Sequence, residues 1–218
     1  MPPPAPRPLF TFLFSLFTAA LCAASPFSPL QIGLDGEDLQ LVDAHTPVIG
    51  LRLNLPVSGN DDVGGLDVGV ASYANTFSGL RLNLWSWTKG PVNGLEMSLC
   101  TMAMENLNGI HVSGLGIVAL EMRGIQAGLV SYAGTLRGLQ IALWPTASDL
   151  FGLQLGLANF SDTSRGLQLG IFNSSGTLHG LQIGLVNRAE TLHGLQLGLL
   201  NIVPDSPLPV LPLLRASF

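Results

Sequence analysis

His179 and His193 stand fourteen residues apart. Brought side by side, they would offer two of the three or four protein ligands that a zinc ion takes. At the same spacing upstream come Arg165, Phe151, Arg137 and Arg123. The neighbours therefore supply guanidinium groups rather than further ligands, and no metal site is expected. Taken together, Arg123, Arg137, Arg165, His179 and His193 form a candidate surface-binding stripe. Such a basic row could face an anionic surface, either lipid headgroups or a polysaccharide. The plainer reading is a line of solvated turns that aid solubility and discourage association of sheet edges.

Glu96, Glu105 and Glu121 raise the question of a carboxylate pair. Glycoside hydrolysis needs two carboxyls across a cleft, about 5–9.5 Å apart. No run of aromatic residues accompanies them as a sugar platform, and Glu96 has a structural explanation given below. Serine and histidine are scattered without a nucleophile motif, and the glycines do not form a phosphate-cradling loop. The chain therefore reads as a non-enzyme with no catalytic residue and no cofactor. A formal net charge of −5 argues against nucleic acid as a partner. Trp85 and Trp144 occupy equivalent places and Trp87 lies beside the first of them. They read as corner-packing residues or as outward aromatics able to touch sugar or membrane. Asn159-Phe160-Ser161 and Asn173-Ser174-Ser175 match glycosylation sequons, but the asparagines already belong to a repeat.

That repeat must position all of these residues. Gly-Leu-Gln-(Leu/Ile) begins at Gly138, Gly152, Gly166, Gly180 and Gly194. Looser copies begin at Gly124, Gly109, Gly94, Gly79, Gly65 and Gly50, in steps of fourteen or fifteen residues. Leu30-Gln31-Ile32 looks like a twelfth copy, followed by an insertion over 35–49. A chain that repeats at a short fixed interval stacks small units that cannot bury their apolar faces alone. With the glycine as position one, positions two, four and six are apolar, as in Leu167, Leu169 and Ile171. Strict alternation marks a strand with one buried face, so the leucines are expected inside. Position eight is Asn159, Asn173, Asn187 and Asn201, expected to turn the chain. Small residues at position ten and leucines at thirteen suggest a short return strand.

Two architectures accommodate one strand per unit: a parallel β-solenoid of about 11–12 coils, or an antiparallel twelve-strand outer-membrane β-barrel. Position three separates them. It reads Arg52, Asp67, Arg81, Glu96 and His111, then Gln126, Gln140, Gln154, Gln168, Gln182 and Gln196. In a solenoid these side chains stack about 4.8 Å apart. Alternating charges then neutralise one another, and the glutamines form an amide ladder beside a second ladder of asparagines. In a barrel, neighbouring position-three residues would lie at opposite strand ends and the charge alternation would have no cause. The all-β class and the parallel β-solenoid (a β-roll or β-helix) follow.

The ends differ from the repeats. Arg7 followed by the apolar run Leu9–Ala20 and small residues to Ala24 reads as a secretory signal over 1–24. Residues 25–49 are expected to hold an N-terminal cap and the first irregular repeat, 50–203 the solenoid, and 204–218 a proline-rich C-terminal cap. Proline cannot donate to a strand ladder, so Pro204, Pro207, Pro209 and Pro212 suit an ending. Once the signal is removed, Cys100 is the one cysteine left. Rigidity must then come from packing, and Cys100 is expected as a small buried hydrophobe.

The units Gly-Leu-Gln-Leu-Gly-Leu-Ala-Asn (152–159) and Gly-Leu-Gln-Ile-Gly-Leu-Val-Asn (180–187) resemble an uncharacterised bacterial surface-repeat family of exported proteins. The likeness covers 124–201 well and 50–123 loosely, and Leu208–Phe218 is similar to the apolar segment ending in Phe found in that family. It implies a location on the bacterial cell surface, in the outer membrane or in the periplasm, and no defined activity. The expectation is an exported, non-enzymatic envelope or surface protein with a structural or adhesive role. Polysaccharide, a host surface, envelope components or further copies of itself are the candidate partners. The alternatives are the outer-membrane β-barrel, with leucines on lipid and glutamines in the lumen, and a polysaccharide-active β-helix enzyme.

Overall fold

The structure is a computed structural model that describes residues 27–36 and 38–217. The predicted signal over 1–24, Glu37 and Phe218 lie outside the described residues. Regular structure among the described residues is all strand: β1 (Ser28–Asp35), β2 (Leu39–Gln40), β3 (Val48–Thr88), β4 (Val92–Ile183), β5 (Val186–Ile202) and β6 (Val210–Ser217). The long elements are extended ribbon wound through several coils. They join one sheet in the order β2-β1-β3-β4-β5-β6.

Successive units run the same way and in register. Gly79 pairs with Gly94 and Arg81 with Glu96, parallel; Gly180 pairs with Gly194 and Gln182 with Gln196, again parallel. The fold is therefore a parallel β-solenoid and not a barrel. Only glycine can occupy position one. Gly166 has φ +156°, and a Cβ there would sit 2.0 Å from the carbonyl oxygen of Gly152 in the coil below. The corner column Gly50, Gly65, Gly79 and onward to Gly194 repeats that approach at each step.

The in–out alternation breaks at the glycine, after position six and after position eleven, where successive residues face outward. Each coil thus turns three corners and has three outer faces. The sidedness of the first face is the reverse of the expected one. Gln140, Gln154, Gln168 and Gln182 are wholly buried, whereas Leu169 is 42% exposed and Ile171 52%. The apolar core is built instead from the second half of the coil. Ala133, Ala147 and Ala189 at position ten pack with Leu136, Leu150, Leu178 and Leu192 at thirteen. With that core supplied from behind, the leucines of the first face have nothing to pack against inside. The asparagines of position eight also depart from expectation. They are buried and none has positive φ, so they line the interior rather than turn the chain by a left-handed residue.

Both ends carry a closing strand. β1 forms the first coil, pairing parallel with β3 (Gln31 beside Arg52), and β2 folds back on it antiparallel. β6 lies antiparallel on the last coil, with Leu214 opposite Leu197 and Arg215 opposite Gln196. The proline-rich segment thus ends in a paired strand. Every described strand pairing lies within Ser28–Ser217.

Candidate functional site

The interior behind the first face is polar and is bonded from coil to coil, with some buried atoms, among them Arg81 Nη2, Glu96 Oε2 and both ring nitrogens of His111, left without a hydrogen-bond partner. Arg52 Nη2 lies 2.7 Å from Asp67 Oδ2, and Arg81 Nε lies 3.0 Å from the same oxygen. Ser72 donates to Asp67 Oδ2 at 2.7 Å and also meets Arg52. Arg81 Nη1 and His111 Nδ1 each stand 3.7 Å from Glu96 Oε2, and Thr101 donates to Glu96 Oε1 at 2.8 Å. Burial is the largest influence on Asp67 and pushes its carboxyl up. The combined attraction and hydrogen bonding of Arg52, Arg81 and Ser72 outweigh it, so Asp67 is held below its ordinary 3.8. Burial pushes Glu96 up as well, and His111, Arg81 and Thr101 together leave it below its ordinary 4.5. Burial draws Arg81 down, opposed by Glu96 and Asp67. An isolated buried charge is very unfavourable; here each lies beside its opposite in the neighbouring coil.

The glutamine row continues the same column with neutral groups. Nε2 of Gln154, Gln168, Gln182 and Gln196 donates to Oε1 of the glutamine one coil earlier at 2.7–2.9 Å. The asparagine ladder runs in the opposite sense. Asn159, Asn173 and Asn187 donate forward to the next Oδ1 at 2.6–2.9 Å. The two chains of amide dipoles therefore oppose each other. Position five makes room for the asparagines: a Cβ on Gly170 would lie 2.4 Å from Asn159 Nδ2. Where position five is large, position eight is small, as with Asn83 and Ser86.

This placement decides the role of several residues singled out from the sequence. Glu96 is fully buried within the charge column, where no substrate reaches it, while Glu105 is exposed. His179 and His193 lie on the outside with rings stacked at 4.8 Å and 10°. Among the described residues no group of three or more His, Cys, Asp or Glu side chains could hold a metal ion. Cys100 is half-buried rather than buried.

What remains outside is a plate of apolar side chains. Positions two, four and six of every unit from Gly50 to Gly194 are aliphatic or Met, except for Gly114. The plate is widened by Leu30, Ile32 and Leu34 of β1 and by Leu214 of β6, which falls beside Leu197. Eleven strands at ~4.8 Å and three outward side chains at ~6.6 Å give a flat area roughly 50 Å by 13 Å. That is at or above the largest apolar patch of an ordinary monomer, ~300–600 Å². Sequence reasoning missed this surface because it assigned the leucines to the core.

The two long borders of the plate differ in chemistry. Position seven carries Trp85 and Trp144, 53% and 55% exposed, with Phe160 packed between Trp144 and Phe172 at 5.9 and 5.8 Å. Position fourteen carries the stripe. Arg137 and Arg165 flank the Phe151 ring at 4.8 and 5.1 Å, so an aromatic ring separates the two like charges. Arg123 bonds Glu121 at 3.1 Å. The acids Asp149, Asp162 and Glu190 stand at positions eleven and twelve, at the corner opposite the plate.

Elsewhere the outer surface is shallow. A trough of about 640 Å³ on the second face has Tyr132, Phe160, Asp162, Arg188 and Glu190 on its walls. A cleft of about 560 Å³ lies beside β6, where Arg215 closes on Ser206 and the carbonyls of Leu208 and Pro209. Fold and surface together define a parallel β-solenoid with a polar column inside and an aliphatic plate outside. No family model, curated protein or solved structure matches the chain.

Proposed function

We propose that this is an exported, non-enzymatic protein of a bacterial envelope or surface, a rigid plank held in place through its leucine plate. One observation carries the reading: an aliphatic face many strands long, continued by both end strands, has no partner among the described residues. Water-exposed apolar area of this extent marks an interaction face. The polar interior argues in the same direction. The ladders hold the first face rigid without drawing on its leucines, which leaves them free for another surface. The sequence supports the location through the apolar segment over 1–24 and the likeness to bacterial surface repeats. Fractionation of the native host tests it. The chain is expected in the envelope fraction, released by detergent and not by salt alone. Recovery in the cytosol, or in the medium as a free soluble protein, refutes it.

A second reading, adhesion to a polysaccharide, draws on the trough of the second face. Tyr132 and Phe160 lie two coils apart there, with Asp162, Arg188 and Glu190 at one end. Aromatic faces beside planar charged groups suit sugar rings. Loss of glycan binding on Tyr132→Ala and Arg188→Ala, with the plate intact, is the expected outcome.

A further inference from the structure

We propose that the surface beneath the plate is an anionic lipid leaflet, into which the three leucine rows sink to the boundary between headgroup and acyl chain. The proposal rests on the reading of the plate as an attachment face and names what it attaches to.

The borders argue for lipid. An element that lies in a membrane interface buries an apolar face shallowly and keeps cations along its edge. Tryptophan favours the same depth, with its ring in the apolar layer and its N–H in the headgroups. This plate has both. Trp85 and Trp144 project at the corner on one side, and Arg137 and Arg165 project at the corner on the other. Phe151 lies between the two arginines and holds both guanidiniums at the rim.

Charge separates lipid from a second copy of the chain. Two plates face to face would cover roughly 650 Å² per partner, short of the ~800 Å² per partner of a standard stable interface. That partner would bring no carboxylate to Arg137 or Arg165, because Asp149, Asp162 and Glu190 stand at the far corner of each coil. Phosphate headgroups supply the missing negative charge along the C-terminal half of that border, where the arginines stand. The acidic corner would then point away from the membrane, which orients the plank with its trough toward solvent.

The test uses residues 25–218, which contain every described strand, and flotation with vesicles of phosphatidylcholine alone or mixed equally with phosphatidylglycerol. The chain is expected to float with the mixed vesicles. Basic groups near an anionic surface contribute about fivefold each to binding. Arg137→Gln with Arg165→Gln should therefore weaken binding to the mixed vesicles roughly 30-fold, with little change on phosphatidylcholine alone. Leu157→Ser, Ile171→Ser and Leu185→Ser together should abolish flotation while circular dichroism and the urea midpoint stay put. Sedimentation equilibrium without lipid gives the other arm. A dimer that ignores both vesicles and becomes monomeric in the leucine variant overturns the lipid proposal and leaves the attachment face standing. Equal flotation of parent and arginine variant overturns the anionic requirement. A leucine variant that behaves like the parent in both assays overturns the proposal together with the reading beneath it.

Discussion

Replacing Gln168 with methionine keeps the length and nearly the volume of the side chain and deletes its hydrogen bonds. Gln168 Nε2 donates to Gln154 Oε1 at 2.7 Å and to Ser161 Oγ at 3.2 Å. Its Oε1 accepts from Gln182 Nε2 at 2.7 Å and from Ser175 Oγ at 2.8 Å. In the variant Gln154 Oε1 loses its ladder donor, whereas Gln182 keeps Ser175 and the Arg188 carbonyl, both at 3.2 Å. One orphaned buried acceptor is worth about 1–3 kcal/mol, and the bonds lost by the remaining partners about 0.5–1.5 kcal/mol each. Burying a thioether in place of an amide offsets part of this, and a net loss of roughly 2–4 kcal/mol is expected. At an m-value of ~2–3 kcal/mol/M the urea midpoint falls by ~1–1.5 M. The companion variant Leu169→Gln changes an outward residue of the plate and should stay within ~0.5 kcal/mol of the parent. If Gln168→Met matches or exceeds the parent while Leu169→Gln loses more than 2 kcal/mol, the glutamines are outside and the reasoning fails.

Four further outcomes follow from the same interior. Asp67→Ala leaves Arg52 and Arg81 buried without their shared carboxylate and should destabilise by about 3–5 kcal/mol in urea. Asp67 and Glu96 are held below their ordinary 3.8 and 4.5, so the stability they add is fully present above those values and is lost as pH falls below them. The urea midpoint should therefore be flat from pH 7 to about 5 and drop below about 4, with a shallower drop in Asp67→Asn. Gly166→Ala forces a Cβ to 2.0 Å from the Gly152 carbonyl oxygen at positive φ, and loss of more than ~3 kcal/mol or failure to fold is expected. Ser164 is fully buried, its hydroxyl has no protein partner, and it interrupts the leucine row between Leu150 and Leu178. Ser164→Ala should raise the midpoint by the equivalent of ~1 kcal/mol.

The period and the parallel register were legible because the residue at position three changes in a way that only stacking explains. Arg52, Asp67, Arg81 and Glu96 alternate in sign at the spacing of one coil, and the structure joins them as ion pairs. Which face points inward was not legible from alternation, because a period of two defines two faces without ranking them. The usual preference for buried leucine then chose the wrong one. Three signals ran against that choice. Strict charge pairing matters in a medium of low dielectric far more than in water, which places the column inside. Ala133, Ala147 and Ala189 at position ten and Leu136, Leu150, Leu178 and Leu192 at thirteen already fill an apolar core from the other side of the coil. Glycine at position five opposite asparagine at eight, reversed as Asn83 and Ser86, marks two side chains sharing one interior volume. The asparagines were expected both to turn the chain, their commonest use, and to stack as a ladder; the ladder is present and the left-handed turn is not. The plate and its borders became visible only with the sidedness, although the basic row at position fourteen and the tryptophans at seven were already apparent in the sequence.

The arrangement of glutamine inside and leucine outside is tested most directly by thiol accessibility. Single cysteines are placed at 168 and at 169 in residues 25–218 with Cys100 replaced by serine, and reaction with a small charged thiol reagent is followed in the native protein without lipid. Cysteine at 169 should react near the rate of a free thiol, and cysteine at 168 should be protected by orders of magnitude until urea unfolds the chain. Fast labelling at 168 with protection at 169 would turn every coil around and remove the plate on which the functional reading stands.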